Sequence, residues 1–112
     1  MSAQVELTLP GPISAYFAAD RQGPEAVARC FTAQAVVNDV GQMHTGTDEI
    51  KAWKAKADAK YTYTMMPFEL ERDGEFHIVR VHAAGTFEGS PIDMTLRFGF
   101  ATGLIASLEI SV

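Results

Sequence analysis

Residues 35–53 read AVVNDVGQMHTGTDEIKAW, and this segment joins an apolar strand to an amphipathic helix. The part from Ala35 to Val40 is apolar and β-branched, which predicts a short buried strand, and two glycines behind it indicate a turn. A helix follows, with Thr47 suited to its N-cap. Asp39 lies where the strand ends. Its carboxylate is either a solvated end-of-strand group or, if helices cover the strand, a group held over an apolar cavity.

Two shorter helices are predicted before this segment. The i, i+3, i+4, i+7 spacing of Ile13, Tyr16, Phe17 and Asp20 predicts a helix over about residues 11–21. Pro24 suits the first position of a second helix, whose inward stripe is expected to be Val27, Cys30 and Phe31. The helix after Thr47 carries all of the chain's lysines, which are most simply explained as a solvated face: Lys51, Lys54, Lys56 and Lys60.

From Tyr61 onward the hydrophobic pattern has a period of two, which predicts four strands with hairpin spacing. The first strand is expected to direct Thr62, Thr64, Met66, Phe68 and Leu70 to one face, while Pro67 argues for an edge strand or a bulge. Later strands align Val79, Val81, Ala83, Gly85 and Phe87, then Met94, Leu96, Phe98 and Phe100, then Leu104, Ala106, Leu108 and Ile110. The order of elements predicts an α+β fold: a cone-shaped, curved antiparallel sheet wrapped around three N-terminal helices, with a pocket at its open end.

Length and composition limit the classes of function. A chain of 112 residues fits one domain, 1–112, and its net charge of −5 argues against nucleic acid as a partner. No segment approaches the roughly 20 apolar residues of a membrane span, and the N-terminus has no basic leader. Because Cys30 is the only cysteine, no intramolecular disulfide can form. A cytoplasmic location, without membrane association, is the default expectation.

The chain resembles the nuclear-transport-factor-two-like superfamily, and within it the SnoaL-like and ketosteroid-isomerase-like branch. The resemblance covers nearly the whole chain and lies in the order and spacing of five segments: residues 16–19, 23–31, 35–39, 46–53 and 103–108. It implies a cystatin-like α+β barrel, a deep apolar pocket and a homodimer formed through the outer face of the sheet. Arg80 and His82, on the mixed face of their strand, would then lie at that interface.

The resemblance also implies roles for two residues. In isomerase-like members an aspartate at the end of the first strand is the general base and a tyrosine of the first helix donates to the enolate oxygen. Asp39 and Tyr16 occupy the matching places. A carboxylate among apolar walls binds its proton more tightly, and a phenol can stabilise a developing oxyanion, so the chemistry is consistent; ketosteroid isomerase is a standard example of it. The second acid of those enzymes is missing, because Asp93 should face away from the Met94 row.

The expected ligand is a small apolar or aromatic molecule, because the chain is rich in aromatic and thioether side chains. The expected lining residues are Phe31, His44, Trp53, Met66, Phe87, Met94, Leu96, Phe98 and Phe100. The three histidines have no metal-ligand spacing, so neither a metal nor another cofactor is predicted. Two functions remain open: an isomerase-like or polyketide-cyclase-like lyase or hydrolase, and a non-catalytic ligand-binding or dimerisation module. An epoxide-hydrolase-like set of Asp, Arg and Asn is a third interpretation, for which only Asp39 is well positioned.

Overall fold

A computed structural model describes residues 7–112 of the chain. Within this range the helices are α1 (Gly11–Asp20), α2 (Pro24–Ala28) and α3 (Thr47–Lys60), and the strands are β1 (Phe31–Asp39), β2 (Gln42–Thr45), β3 (Tyr63–Asp73), β4 (Phe76–Gly85), β5 (Ile92–Ala101) and β6 (Leu104–Ser111). The predictions for residues 1–6, as the start of the domain and as lacking a leader, lie outside the described residues. No helix in the described range is long and apolar enough to cross a membrane.

The strands form one curved sheet in the order β2-β1-β6-β5-β4-β3, with helices against its concave face. The predicted α+β fold is therefore confirmed. The prediction of a purely antiparallel sheet is wrong at one place, because β1 and β6 pair in parallel while the other neighbours are antiparallel. Hairpin spacing fixes the direction only of strands that follow each other in the chain. β1 and β6 are separated by the rest of the fold.

The concave face and the helices enclose one apolar core. Ile13, Tyr16 and Phe17 of α1 are buried, as their spacing predicts. β4 contributes Val79 and Val81 with no exposed surface, as its alternation predicts. Leu96 and Phe98 of β5 are likewise fully buried. The helix pattern and the two central strands thus converge on one core.

The start of β1 and the presence of β2 differ from the prediction. Phe31 begins β1 instead of ending a helix, because α2 stops at Ala28. β2 lies in the region expected to be a turn, and a two-residue loop of Val40 and Gly41 joins it to β1, with φ of 49° and 90°. The β-branched Val40 in this left-handed conformation is unusual, which is why the hairpin was not apparent from the sequence. The Asn38 side chain accepts a hydrogen bond from Gly41 N–H at 2.8 Å and supports the turn.

Irregular pairing changes which side chains of β3 face the core. Tyr63 and Met65 point inward, whereas Met66 and Phe68 are 64% and 49% exposed. A shift of register between Pro67 and Glu69 then returns Leu70 to the inner side. A second shift, between Gly99 and Phe100, pairs Ile105 with Phe100, so that Ile105 is buried and Leu104 exposed. The period-two prediction for these strands was wrong wherever a bulge changed the alternation.

Candidate functional site

Asp39 is the last residue of β1 and belongs to the concave face of the sheet. Side chains of a strand alternate between faces, and Ala35 and Val37 of the same strand are buried in the core. Asp39 is half-buried and lies beside Ile110, its partner on β6. The carboxylate is thus placed at the inner end of the strand, where the core opens.

Trp53 holds this carboxylate from the opposite side. Its indole Nε1 donates a hydrogen bond to Asp39 Oδ2 at 3.0 Å. Trp53 is on α3, one turn beyond the buried Ile50, so helical spacing directs its ring toward the strand. The other oxygen, Oδ1, has no hydrogen-bond partner among the side chains of residues 7–112. The Trp53 hydrogen bond fixes Oδ2, and Oδ1 is available to a ligand.

Asp39 and Trp53 line a cavity of about 420 Å³ between the helices and the concave face. Its wall is largely apolar and includes Phe87, Ile92 and Met94. Tyr16 of α1 also lies on this wall. The volume falls within the range typical of small-molecule sites. Asp39 and Tyr16 therefore line the same largely apolar cavity.

Aromatic neighbours fix the ring of Tyr16, and its hydroxyl has no hydrogen-bond partner among the described residues. Its ring makes edge-on contacts with Phe17, Phe31 and Phe98, at centroid distances of 5.5, 6.0 and 5.6 Å. Only 2% of the residue is exposed, and its Oη has no hydrogen-bond partner within the described residues. A buried tyrosine hydroxyl normally has one. The unpaired hydroxyl is therefore a donor that a ligand could use.

Burial raises the pKa of Tyr16 well above its ordinary value, and the charges of Asp20 and, more weakly, Asp39 raise it further. The phenol is consequently protonated throughout the neutral range. A neutral phenol can donate a hydrogen bond to a carbonyl oxygen, whereas a phenolate could not. The environment of Tyr16 thus preserves its capacity as a donor.

Only some of the residues that were expected to line the pocket are on the wall of this cavity. Trp53, Phe87 and Met94 line the cavity with Asp39 and Tyr16. The others lie elsewhere: Phe31, Leu96 and Phe98 are buried in the core, Phe100 packs on its edge, and Met66 faces outward on β3. Phe31 and Phe98 instead support the ring of Tyr16. Cavity residues that were not predicted include Tyr61, Tyr63 and Met65, which were hidden by the misassigned face of β3.

The histidines lie apart from one another. His44 is on β2, with its ring 5.9 Å from that of Trp53 and a buried Nε2 that has no hydrogen-bond partner in the described residues. It is not on the cavity wall. His82 is on the outer face of the sheet, where its Nδ1 lies 2.8 Å from Asp93 Oδ1. Asp93 thus faces away from the cavity, as the alternation predicts. No cluster of three or more potential metal ligands occurs among residues 7–112.

Lys54 is buried, which contradicts the prediction that all four lysines form a solvated face. Only 3% of its side chain is exposed, and its Nζ lies 2.7 Å from Asp58 Oδ1, 2.8 Å from Tyr63 Oη and 2.9 Å from Asp20 Oδ1. Its position was readable from the sequence, because residue 54 lies between Ile50 and Ala57 on the inward stripe of α3. Burial lowers the pKa of Lys54, but these three hydrogen bonds outweigh it and raise the pKa above its ordinary value.

The Lys54 cluster borders a second and larger cavity, of about 870 Å³, which does not contain Asp39. This cavity follows the free edge of β3 and reaches the loop between α1 and α2. We assign the candidate reaction site to the smaller cavity, because Asp39 and Tyr16 line it and do not line the larger one. Tyr61, Tyr63 and Met65 line both spaces.

Comparison with solved structures gives close relatives over nearly the whole chain. A "putative polyketide cyclase" of Sinorhizobium meliloti is 36% identical, with 92% of this chain and 95% of that one covered and a TM-score of 0.87. A hypothetical protein of Catenulispora acidiphila with a ketosteroid isomerase-like fold, solved with trimethylamine, is 24% identical over 94% and 87% of the two chains, with a TM-score of 0.82. An NTF2-like protein of Cytophaga hutchinsonii is 12% identical over 97% and 93%, with a TM-score of 0.74. No protein-family model and no curated protein matches the sequence.

Proposed function

Because the chain belongs to the SnoaL-like and ketosteroid-isomerase-like branch of the nuclear-transport-factor-two-like superfamily, we propose that it binds a small, largely apolar carbonyl compound and enolises it. Asp39 is the general base in this proposal, and Tyr16 is the hydrogen-bond donor to the carbonyl oxygen. The product of the step is an enol or enolate that then isomerises or cyclises. The relative at 36% identity, named as a cyclase, supports this class of reaction.

One observation carries the proposal. Asp39 has one carboxylate oxygen held by the Trp53 indole at 3.0 Å, and it shares an apolar cavity with Tyr16, whose hydroxyl is unpaired. A base needs a free oxygen with a fixed direction, and an oxyanion donor needs a proton that no protein group already accepts. Both requirements are met on one cavity wall.

The reaction begins with the carbonyl oxygen accepting a hydrogen bond from Tyr16 Oη. Asp39 Oδ1 takes a proton from the carbon next to that carbonyl, and the electron pair of the broken C–H bond forms the enolate double bond. Negative charge moves to the oxygen, where the Tyr16 donor stabilises it. Asp39, now protonated, returns the proton to another carbon in an isomerisation. In a cyclisation the enolate carbon attacks a second carbonyl of the same molecule, and that oxygen receives the proton.

Trp53 has a positioning role in this scheme. Its hydrogen bond to Oδ2 limits rotation of the Asp39 carboxylate and directs Oδ1 toward the cavity. Holding a reacting group in a productive orientation removes part of the entropic cost of the reaction. The largely apolar wall lowers the local dielectric constant, which strengthens the hydrogen bond from Tyr16 to a developing oxyanion.

A non-catalytic binding module on the same fold is the rival proposal. It is favoured by one feature: among the described residues that line the cavity, Asp39 and Glu88 are the only carboxylates, and Glu88 is exposed on the loop before β5. Asp93 faces outward, so it does not supply a second acid beside Tyr16. A binder would use the same cavity without proton transfer.

Turnover of a panel of enolisable ketones by wild type, Asp39→Asn and Tyr16→Phe distinguishes the two. The panel comprises flat bicyclic and tricyclic ketones that fit a cavity of about 420 Å³. We expect rates above background for wild type and a large loss in both variants. Binding of these ketones with equal, background-level rates in all three proteins would support the binder instead. Asp93→Asn is the matched control, because it removes a carboxylate from the outer face of the sheet.

A further inference from the structure

The larger cavity has the composition of a built polar site. Asp20, Lys54, Asp58 and Tyr63 form one hydrogen-bonded cluster on its wall, at the junction of α1, α3 and β3. The remaining wall is partly apolar and includes Phe17 and Pro67. A volume of about 870 Å³ is large enough for a drug-sized molecule. The proposed reaction at Asp39 does not use this cluster.

Asp20 leaves one acceptor unused in this cavity. Its side chain is 8% exposed, and Oδ1 receives Lys54 at 2.9 Å and the Tyr63 hydroxyl at 3.4 Å. Oδ2 has no hydrogen-bond partner within the described residues. A carboxylate oxygen that no protein group contacts normally accepts a hydrogen bond from a ligand or from water. Asp58 Oδ2, on the other side of Lys54, is also without a protein partner in residues 7–112.

The charges on the wall select the kind of ligand group. Two carboxylates, Asp20 and Asp58, face two cations, Lys54 and Arg21, so the cavity does not favour a net charge. Lys54 cannot serve an anion, since its three protons are directed to Asp58, Tyr63 and Asp20. What remains for a ligand is a pair of strong acceptors and the Arg21 guanidinium, which has no hydrogen-bond partner within the described residues. Neutral hydroxyl groups, which both donate and accept, fit these groups.

The two cavities lie next to each other and have Tyr61, Tyr63 and Met65 as shared lining residues. We infer that the ligand of this protein is bipartite, with a flat apolar part in the Asp39 cavity and a hydroxylated substituent, such as a sugar or polyol, hydrogen-bonded to Asp20 and Asp58. This inference rests on the proposed function, because the apolar part is the one on which Asp39 and Tyr16 act. It adds the substituent that the apolar cavity cannot hold.

A matched pair of fluorescent probes tests the inference: 2-naphthol and 2-naphthyl β-D-glucopyranoside, which differ only in the sugar. We expect the glucoside to bind wild type about tenfold more tightly than 2-naphthol, because it adds hydrogen bonds to charged acceptors. Asp58→Asn and Asp20→Asn should each weaken the glucoside about five- to tenfold, since a neutral acceptor replaces a carboxylate, and leave 2-naphthol unchanged. Glu25→Gln is the control, because Glu25 lies on neither cavity wall.

Asp58 is the safer site for substitution, because its side chain is 36% exposed, and its variant keeps the assay interpretable if Asp20→Asn does not fold. A glucoside that binds no more tightly than 2-naphthol, or that is unaffected by Asp58→Asn, overturns the inference. That result leaves the proposed function standing if Asp39→Asn still abolishes proton transfer from a ketone. Conversely, a sugar-dependent gain with no effect of Asp39→Asn on proton transfer overturns the proposed function and leaves the hydroxyl-binding site in place.

Discussion

The indole nitrogen of Trp53 donates to the carboxylate of Asp39 at 3.0 Å, and this bond joins the end of β1 to the middle of α3. It divides the two carboxylate oxygens into one that is held and one that has no hydrogen-bond partner among the described residues. An aspartate that only capped a turn would direct its side chain to nearby backbone N–H groups. In this hairpin that capping bond is made by Asn38 instead, so Asp39 is left for the cavity.

Trp53→Phe should lower kcat about tenfold or more while KM changes little, because the ring still fills the cavity wall but no longer orients the carboxylate. The measurement is steady-state kinetics on a ketone that wild type turns over. A purely structural role would appear differently, as a parallel loss of thermal stability and of binding. An unchanged kcat in a folded Trp53→Phe protein would show that the hydrogen bond does not position the base.

Tyr16→Phe should reduce kcat by about 10²–10³-fold, the usual loss when one oxyanion donor is removed. The free energy of unfolding should change little, because the hydroxyl has no partner among the described residues and the ring contacts are retained. Burial raises the pKa of Tyr16, so its ionisation should not appear in the pH–rate profile below about pH 10. A fully active Tyr16→Phe protein would remove Tyr16 from the mechanism.

Lys54→Met should destabilise the fold by about 3 kcal/mol or more, because it leaves Asp20 buried without its cation. Lys51→Met is the matched control on the same helix. Lys51 pairs with Glu25 at 3.1 Å in an exposed position, so its loss should have little effect on the urea midpoint. Equal midpoints for the two variants would contradict the structural importance of the Lys54 cluster. The double variant Asp20→Asn with Lys54→Met should recover part of the loss.

The same cluster predicts a pH dependence at the alkaline end. The pKa of Lys54 is raised in the folded state, so its contribution is complete below the ordinary lysine value of about 10.4 and is lost as pH rises through the folded value. The difference in unfolding free energy between wild type and Lys54→Met should therefore be constant from neutral pH to about pH 9.5 and shrink above about pH 10.4. A difference that grows in that range would contradict the assignment.

We propose that the outer face of the sheet forms a homodimer. Met66 and Phe68 are exposed there, and Phe68 lies 5.8 Å from the guanidinium of Arg80. Light scattering at micromolar concentration should give twice the chain mass of 12.2 kDa. Phe68→Glu should give a monomer, whereas Val112→Glu, at an exposed position beyond the last strand, should not. A monomeric wild type would contradict the proposal.

The sequence was sufficient for α1, α3 and the central strands, and for the inward direction of the two residues on which the proposed function depends. Helical spacing identified Tyr16 and Asp20 as inward, and alternation directed Asp39 and Val37 to the same face. Periodicity succeeds in these elements because each packs one regular face on the core. Other features depend on partners that are distant in sequence. The parallel pairing of β1 with β6 is of this kind. The irregularity of β3 is not, because Pro67 indicated an edge strand or a bulge, and β3 is an edge strand whose register shifts after Pro67.

Lys54 was missed for a different physical reason. A lysine is seldom buried, so three exposed lysines on the same helix favoured a solvated face for the fourth. Its inward position and the inward Asp20 were both present in the helical patterns, but their pairing depends on how α1 packs against α3. Burial of a charge becomes favourable only when the partners are in place, and no local pattern reports that.

Hydrogen–deuterium exchange at the α-carbon of 2-tetralone tests the central claim most directly, because it detects proton abstraction without requiring the natural substrate. The exchange is followed by proton NMR in deuterated buffer, with wild type, Asp39→Asn and the outer-face control Asp93→Asn. We expect wild type and Asp93→Asn to accelerate exchange equally, and Asp39→Asn to lose about 10²-fold or more of the enzymatic rate. Exchange catalysed equally by Asp39→Asn, or no acceleration by wild type, would contradict the assignment of Asp39 as a general base.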